Sequence, residues 1–170
     1  MSIEISDYLH TVATIISKRR KVCKLSREEL AYYASLHTNT ISSIERGDRD
    51  ITIVSLIHIF AALGCTGVHI ANDHYMADFT AETAFPVQRQ DILTIKDPEL
   101  VRRIGLAVKE KRKKEGMKQE DLATSAGLHL NTVWNCEQGL VAPSGYTMYR
   151  MYKSLKVQTI IEKGGYLYLL

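Results

Sequence analysis

An internal repeat constrains the fold of this chain more than any other feature of its sequence. Residues 25–47 (LSREELAYYASLHTNTISSIERG) align without a gap to residues 117–139 (MKQEDLATSAGLHLNTVWNCEQG), and ten of the 23 positions are identical. The offset of 92 residues extends backward, where it pairs Arg20 with Arg112. Self-similarity at a fixed offset indicates repeated structural units, so the sequence predicts two copies of one fold.

Each copy has the pattern of two short helices joined by a tight turn. Ser26 followed by Glu29 is a capping-box pattern at the start of the first helix. Ser35 in the first copy and Gly127 in the second begin the turn. The second helix is expected at about residues 38–46, and a glycine ends it in both copies. Amphipathic segments precede and follow each pair, so four helices are expected in each copy.

Short alternating segments follow the helices of both copies at the same offset. Residues 66–78 (TGVHIANDHYMAD) correspond to residues 158–170 (QTIIEKGGYLYLL), and both predict two strands around a two-residue turn. An isolated hairpin is only marginally stable in water, so these apolar strands need a cover or a partner. The predicted fold is mainly α with small β-hairpins, in two domains (residues 1–78 and 97–170) joined by a linker (residues 79–96).

The composition is that of an ordinary globular protein, with 45% hydrophobic and 24% charged residues. No apolar run approaches the roughly 20 residues of a membrane span, and the first residues lack the basic and apolar segments of an export signal. A cytoplasmic location and free thiols at the three cysteines are therefore expected. Residues 97–170 hold twelve Lys or Arg against eight Asp or Glu, a mild indication of a polyanionic partner.

Two short helices joined by a tight turn form the helix-turn-helix arrangement, whose second helix enters the major groove of DNA. On the pattern LSREELA…ASLHTNTISSIERG…LIHIFAALG, the chain resembles the helix-turn-helix domain of phage Cro and repressor proteins, the XRE-type family. The resemblance covers roughly residues 8–64 and 100–156. It implies two repressor-like domains of four to five helices, each followed by a β-hairpin.

The resemblance also implies roles for individual residues. In such domains an arginine of the first helix pairs with a glutamate at the end of the third, which implies structural ion pairs Arg20–Glu45 and Arg112–Glu137. The start of the second helix contacts phosphate, and the third helix reads bases. The implied DNA-binding residues are Arg27, Thr38, Asn39, Ser42, Ser43, Arg46 and Arg49 in the first copy, and Gln119, Leu130, Asn131, Trp134 and Asn135 in the second.

The recognition face of the second copy is open to three interpretations. Leu130 and Trp134 can contact thymine methyl groups. They can instead anchor a protein partner, because Trp is enriched at interface hot spots, or Trp134 can pack on the neighbouring domain. The basic segment at residues 109–114 favours DNA, because phosphates supply most of the affinity in protein–DNA complexes.

No motif in the sequence indicates catalysis or a cofactor. A Gly-rich phosphate loop, a nucleophile elbow and a paired-carboxylate motif are all missing from it, so no enzymatic activity is expected. His69, Asp73 and His74 surround one predicted hairpin turn. They are expected to be surface groups rather than metal ligands, because the second hairpin has no matching set.

These patterns predict a sequence-specific transcriptional regulator that binds operator DNA, of the repressor type and encoded by a phage or another mobile element. Its two domains form either an intramolecular pseudo-dimer or a homodimer, with the hairpins as the interface because edge strands pair readily. The alternative is an antitoxin or another protein-binding regulator, in which one domain or the hairpins capture a protein partner.

Overall fold

The computed structural model describes residues 4–71, 74–79, 97–163 and 166–169 of the 170-residue chain. These residues form eight α-helices and four β-strands. In chain order the elements are α1 (Ile5–Val22), α2 (Arg27–Tyr33), α3 (Thr38–Glu45), α4 (Ile53–Ala62), β1 (Cys65–Ala71), β2 (His74–Phe79), α5 (Asp97–Lys114), α6 (Gln119–Ala126), α7 (Leu130–Glu137), α8 (Gly145–Ser154), β3 (Thr159–Lys163) and β4 (Tyr166–Leu169).

Parts of the predicted architecture lie outside the described residues. They are the two hairpin turns, at residues 72–73 and 164–165, and nearly all of the predicted linker. Phe79, which we expected to begin the linker, is the last residue of β2. The prediction of a mainly helical protein with small β-elements is confirmed, whereas the division into two domains stays a prediction.

The secondary structure repeats at the offset found in the sequence. Helices α5, α7 and α8 begin and end 92 residues after α1, α3 and α4. Helix α6 begins 92 residues after α2 and is one residue longer. The strands follow the same rule, because β1 and β3 end 92 residues apart and β2 and β4 begin 92 residues apart. We call α1–α4 with β1 and β2 the first half, and α5–α8 with β3 and β4 the second half.

The helices of both halves enclose one continuous apolar core. In α1, Tyr8, Val12 and Ile16 are buried, because residues spaced by four share one face of a helix. The Tyr8 ring lies 5.4 Å from the ring of Tyr149 in α8, so α1 contacts the second half. The equivalent pair, α5 and α4, is also in contact.

Helices α5 and α7 cross at very short range. A β-carbon at Gly105 would lie 2.0 Å from the carbonyl oxygen of Cys136, so only glycine allows this approach. The equivalent residue in α1 is the buried Ala13. Cys136 is itself buried, and it and the other two cysteines are free thiols, as expected.

The four strands form one antiparallel sheet in the order β2-β1-β3-β4. Each hairpin pairs its own two strands, and the two hairpins join through β1 and β3. The side chain of His69 in β1 adds a polar link, because its Nδ1 lies 3.1 Å from the hydroxyl of Thr159 in β3. The partner that each apolar hairpin needs is therefore the other hairpin of the same chain.

A first backbone contact between the halves joins residues that are equivalent in the repeat. Thr52 and Ser144, the N-cap residues of α4 and α8, form an antiparallel bridge. Antiparallel pairing of equivalent residues is the contact that a two-fold axis produces. Two hydrogen bonds with exchanged roles flank the bridge, from the amide of Ile53 to the carbonyl of Pro143 (2.8 Å) and from the amide of Gly145 to the carbonyl of Ile51 (2.7 Å).

A second contact of the same kind lies in the sheet, where Val68 of β1 is opposite Ile160 of β3. An apolar cavity of about 50 Å³ lies between α4, α8 and this part of the sheet. Its lining consists of residue pairs that are 92 positions apart, so an approximate two-fold axis passes through this region and relates the two halves. The pairs are Ile53 with Gly145, Leu56 with Met148, Ile57 with Tyr149, Phe60 with Tyr152, and Val68 with Ile160.

Candidate nucleic-acid interface

Helices α2 and α3 form a helix-turn-helix pair in the first half. The predicted capping box is present at the start of α2: the hydroxyl of Ser26 accepts from the amide of Glu29 (3.0 Å), whose carboxylate accepts from the amide of Ser26 (2.7 Å). Ser35 has a φ of 54°. The amide of Leu36 then donates to the carbonyl of Ala31 (2.9 Å), which ends α2 in a left-handed turn. This turn sets the direction in which α3 leaves.

Helices α6 and α7 repeat this local geometry with different residues. At the start of α6 the carboxylate of Asp121 accepts a hydrogen bond from the amide of Lys118 (2.7 Å). Gly127 has a φ of 61° at the predicted turn, and the amide of Leu128 donates to the carbonyl of Ala123 (2.8 Å). The second half therefore forms the same turn with glycine, for which a positive φ carries no side-chain penalty.

A buried carboxylate at the end of α3 connects three helices. Glu45 accepts from Nε and Nη2 of Arg20 in α1 (2.6 and 3.0 Å) and from Nε of Arg27 in α2 (2.6 Å). Burial raises the pKa of Glu45, but the hydrogen bonds from Arg20 and Arg27 outweigh it and hold that pKa below its ordinary value. The hydrogen bond to Glu45 raises the pKa of Arg20. The position of α3 is thus tied to α1 and α2.

The same network occurs at the end of α7. Glu137 accepts from Nε and Nη2 of Arg112 (2.5 and 2.9 Å) and from Nε2 of Gln119 (2.7 Å). Nη1 of Arg112 donates to the carbonyl of Met117 (2.7 Å), as Nη1 of Arg20 does to the equivalent carbonyl in the first half. The hydrogen bond to Glu137 raises the pKa of Arg112. Both implied ion pairs are therefore in contact.

The residues implied to contact phosphate at the starts of α2 and α6 have a second role in the structure. Arg27 and Gln119 each donate to the buried glutamate of their own half, which sequence reasoning did not foresee. The side chain of Arg27 is 48% exposed, and its guanidinium has five N–H donors, of which Glu45 takes one. Phosphate contact at these two residues stays a prediction.

Helix α3 presents a small polar face toward solvent. Two isoleucines of this helix are buried in the core. On the other side Asn39 is exposed, while Thr38, Ser42 and Ser43 are half-buried. The hydroxyl of Ser43 donates to the carbonyl of Thr40 (2.9 Å), so its proton already has an acceptor within the same helix. We call Thr38, Asn39, Ser42 and Ser43 the first reading face.

The equivalent surface of α7 is more apolar. Leu130 and Trp134 are 41% and 46% exposed, Asn131 is exposed, and Asn135 is half-buried. Trp134 is therefore not buried against the neighbouring half, which was one of the three interpretations of this surface. We call Leu130, Asn131, Trp134 and Asn135 the second reading face.

Cationic side chains follow the first reading face. Arg46 and Arg49 are both exposed just after α3. Arg46 donates to the exposed carboxylate of Asp48 (2.6 Å). Arg49 has no ion-pair partner within the part of the chain that the structure describes. Lys113 and Lys114, at the end of α5, are also exposed, so each half carries positive charge at its surface.

The histidine and aspartate residues near the first hairpin turn were considered as metal ligands, and the structure shows the contacts of one of them, His69. Nε2 of His69 lies 2.5 Å from the carboxylate of Asp78, and Asp73 is outside the described residues. Among the described residues, no group of three His, Cys, Asp or Glu is placed to hold a metal ion.

In the part of the chain that the structure describes, no helix has both the length and the apolarity needed to cross a membrane.

Comparison with known proteins identifies the region around α2 and α3. Residues 16–70 match the Helix-turn-helix family model. The match runs from the second part of α1 through α4 into β1 and thus includes the first reading face and Glu45. The match suggests a DNA-binding transcriptional regulator with double-stranded DNA as its partner, and proteins of the matched family are generally not enzymes. Searches among curated proteins and among solved structures find no match to this chain.

Proposed function

We propose that this chain is a sequence-specific regulator of the repressor type, which reads operator DNA by placing α3 and α7 in the major groove. One observation carries the proposal: the first reading face is polar, with Asn39 exposed and its other residues half-buried, on a helix fixed by the Glu45 network inside the matched segment. Recognition in the major groove needs such a helix, because base edges are read by side chains that protrude from a firmly held backbone.

The second half takes part in the proposal because it repeats the first. The approximate two-fold axis makes α7 the counterpart of α3. In proteins of this class, paired recognition helices address half-sites about one helical turn apart, roughly 34 Å. The chain then acts as an intramolecular pseudo-dimer whose interface includes the joined hairpins, in the cytoplasm of a cell that carries a phage or another mobile element.

Individual residues have distinct tasks in this proposal. Asn39 and Asn131 occupy equivalent positions, and asparagine pairs with the N6 and N7 atoms of adenine through two hydrogen bonds. Arg46 and Arg49 contact phosphates, which fix the register of the protein on the duplex without reading its sequence.

The test is a selection of bound duplexes from a random pool by the full-length chain, followed by titration of the selected duplex. Asn39→Ala should weaken specific binding by about 1 to 3 kcal/mol and relax the preference at one base pair. Arg49→Ala should weaken binding to all duplexes alike and lower the salt slope by about one unit. Gln158→Ala, at an exposed position before β3, is the control. If the chain binds no duplex more tightly than bulk DNA, the proposal is wrong.

A second candidate function rests on the apolar surface around α7. Leu130, Trp134, Leu140 and Val141 are all between 41% and 62% exposed, and such surfaces often contact proteins. An antitoxin or another protein-binding regulator would use them to hold its partner. Trp134→Ala separates the two functions: loss of operator affinity supports DNA reading, whereas loss of a co-purifying protein with unchanged DNA affinity supports the second candidate.

A further inference from the structure

We propose that a single copy of this chain reads an asymmetric operator, whose two half-sites share one adenine contact and differ at the neighbouring base pairs. This inference rests on the proposed function and goes beyond it, because it specifies the class of DNA that the two reading faces select.

The first step of the argument is the relation between the two recognition helices. Contacts between equivalent residues, Thr52 with Ser144 and Val68 with Ile160, place an approximate two-fold axis between the halves. Helices related by a two-fold axis meet two half-sites in inverted orientation. Since α3 and α7 belong to one chain, a single copy supplies the two reading faces that a homodimer would draw from two copies.

The second step is what the two faces share. Asn39 and Asn131 are equivalent and both exposed, and each follows the first residue of its helix. An asparagine at the start of a recognition helix can hold an adenine by two hydrogen bonds. Both half-sites are therefore expected to carry an A·T pair at symmetry-related positions.

The third step is what the two faces do not share. Thr38 and Ser42 in α3 correspond to Leu130 and Trp134 in α7. The hydroxyl groups can donate to or accept from many base edges, whereas an apolar side chain makes favourable contact with the methyl group of thymine. The half-site under α7 is therefore expected to present thymine methyl groups where the half-site under α3 presents hydrogen-bonding edges.

A chain with unequal faces has an affinity pattern that a homodimer cannot have. In a homodimer the two faces are identical, so the best operator is a palindrome. Here each palindrome places one face on the wrong half-site, and one mismatched base pair lowers affinity by about 5- to 150-fold. The composite operator should therefore bind more tightly than either palindrome made from its halves.

The experiment compares three duplexes made from the sequence that the full-length chain selects: the composite operator and the palindromes of its two halves. We expect one chain per composite duplex and at least about tenfold weaker binding to each palindrome. Trp134 is the only tryptophan, so its emission should change when the composite binds. Equal affinity for the composite and for one palindrome, or two chains per operator, would overturn the inference and leave DNA binding by the chain intact.

A face-exchange variant tests the same inference from the protein side. The triple substitution Leu130→Thr, Trp134→Ser and Asn135→Ser gives α7 the residues of the first reading face, and it should shift the preference to the palindrome of the α3 half-site. Leu106→Thr replaces a leucine of α5 with similar exposure (51%), and this control should keep the composite preference. Unchanged preference in the triple variant, with a native circular dichroism spectrum, would also overturn the inference. Failure of the unaltered chain to select any duplex would instead contradict the proposed function.

Discussion

Neutralising Glu137 should destabilise the protein strongly. The side chains of Arg112 and Glu137 are 9% and 0% exposed, so Glu137→Gln leaves a guanidinium in the interior without its counter-charge. Removal of one partner from a buried ion pair costs about 3 to 5 kcal/mol. That cost exceeds the net value of the pair, because it includes the burial of the remaining charge.

The magnitude follows from the contacts of the carboxylate. Glutamine has nearly the same volume as glutamate, so the substitution creates no cavity. Three donor bonds converge on Glu137, two from Arg112 and one from Gln119. A glutamine amide offers one oxygen to them, and its NH₂ group faces other donors. For a protein of this size each kcal/mol lowers Tm by roughly 2 to 4 °C, so the expected decrease in Tm is about 6 to 20 °C.

Urea unfolding followed by far-UV circular dichroism measures the loss, with Glu120→Gln as the matched control. Glu120 lies in the first turn of α6 and is exposed, and the loss of an exposed first-turn carboxylate costs at most about 1 kcal/mol. A loss at Glu137 below about 1 kcal/mol, or one equal to the control, would refute the argument, because a buried arginine without a counter-charge is not that well tolerated.

Two further predictions concern packing and pH. Gly105→Ala should lower the free energy of unfolding by at least about 1 to 3 kcal/mol, because its β-carbon would lie 2.0 Å from the carbonyl oxygen of Cys136. Ala13→Gly at the equivalent place should lower it by only about 0.5 to 1 kcal/mol. Equal urea midpoints for the two variants would contradict this. The pKa of Glu45 is lowered in the folded state, so its stabilisation is present above the unfolded pKa of about 4.3 and is lost as the pH falls through the lower folded value. The difference in unfolding free energy between the unaltered chain and Glu45→Gln should therefore shrink from pH 7 to pH 3, and a constant difference would exclude Glu45 as the titrating group.

Much of the local structure could be predicted because it depends on residues close together in sequence. The capping box of Ser26 and Glu29 and the left-handed turn at Gly127 are local, and both occur where the pattern places them. Because the elements repeat at an offset of 92 residues, an assignment made in one half also applied to the equivalent residues of the other half. The repeat is informative because two different sets of side chains must adopt the same backbone. A secondary-structure assignment that fits only one of the two copies can therefore be discarded.

The contacts between the halves could not be predicted, because they depend on which apolar surfaces meet. The bridge between Thr52 and Ser144 and the register of Val68 with Ile160 join segments that are 92 residues apart, and hydrophobic periodicity shows that a face is buried without showing against what. The second task of Arg27 and Gln119 was also missed. Both residues can donate a hydrogen bond to a carboxylate, and each lies 18 positions before the glutamate of its own half. This shared spacing was the available signal.

Identities within the repeat are distributed differently between its buried positions and the two reading faces. Leu30 and Leu122 are fully buried, and the glutamates that end α3 and α7 are held by matching networks, so exchange at these positions would disturb packing or leave an arginine unpaired. The residues of the two reading faces differ, except at Asn39 and Asn131. Packing does not require an asparagine at an exposed position, so its retention in both faces needs another cause, and a shared adenine contact supplies one. Asn39→Asp and Asn131→Asp keep the size of the side chain but replace the donor with a charge, so each should abolish selection of adenine in its own half-site only.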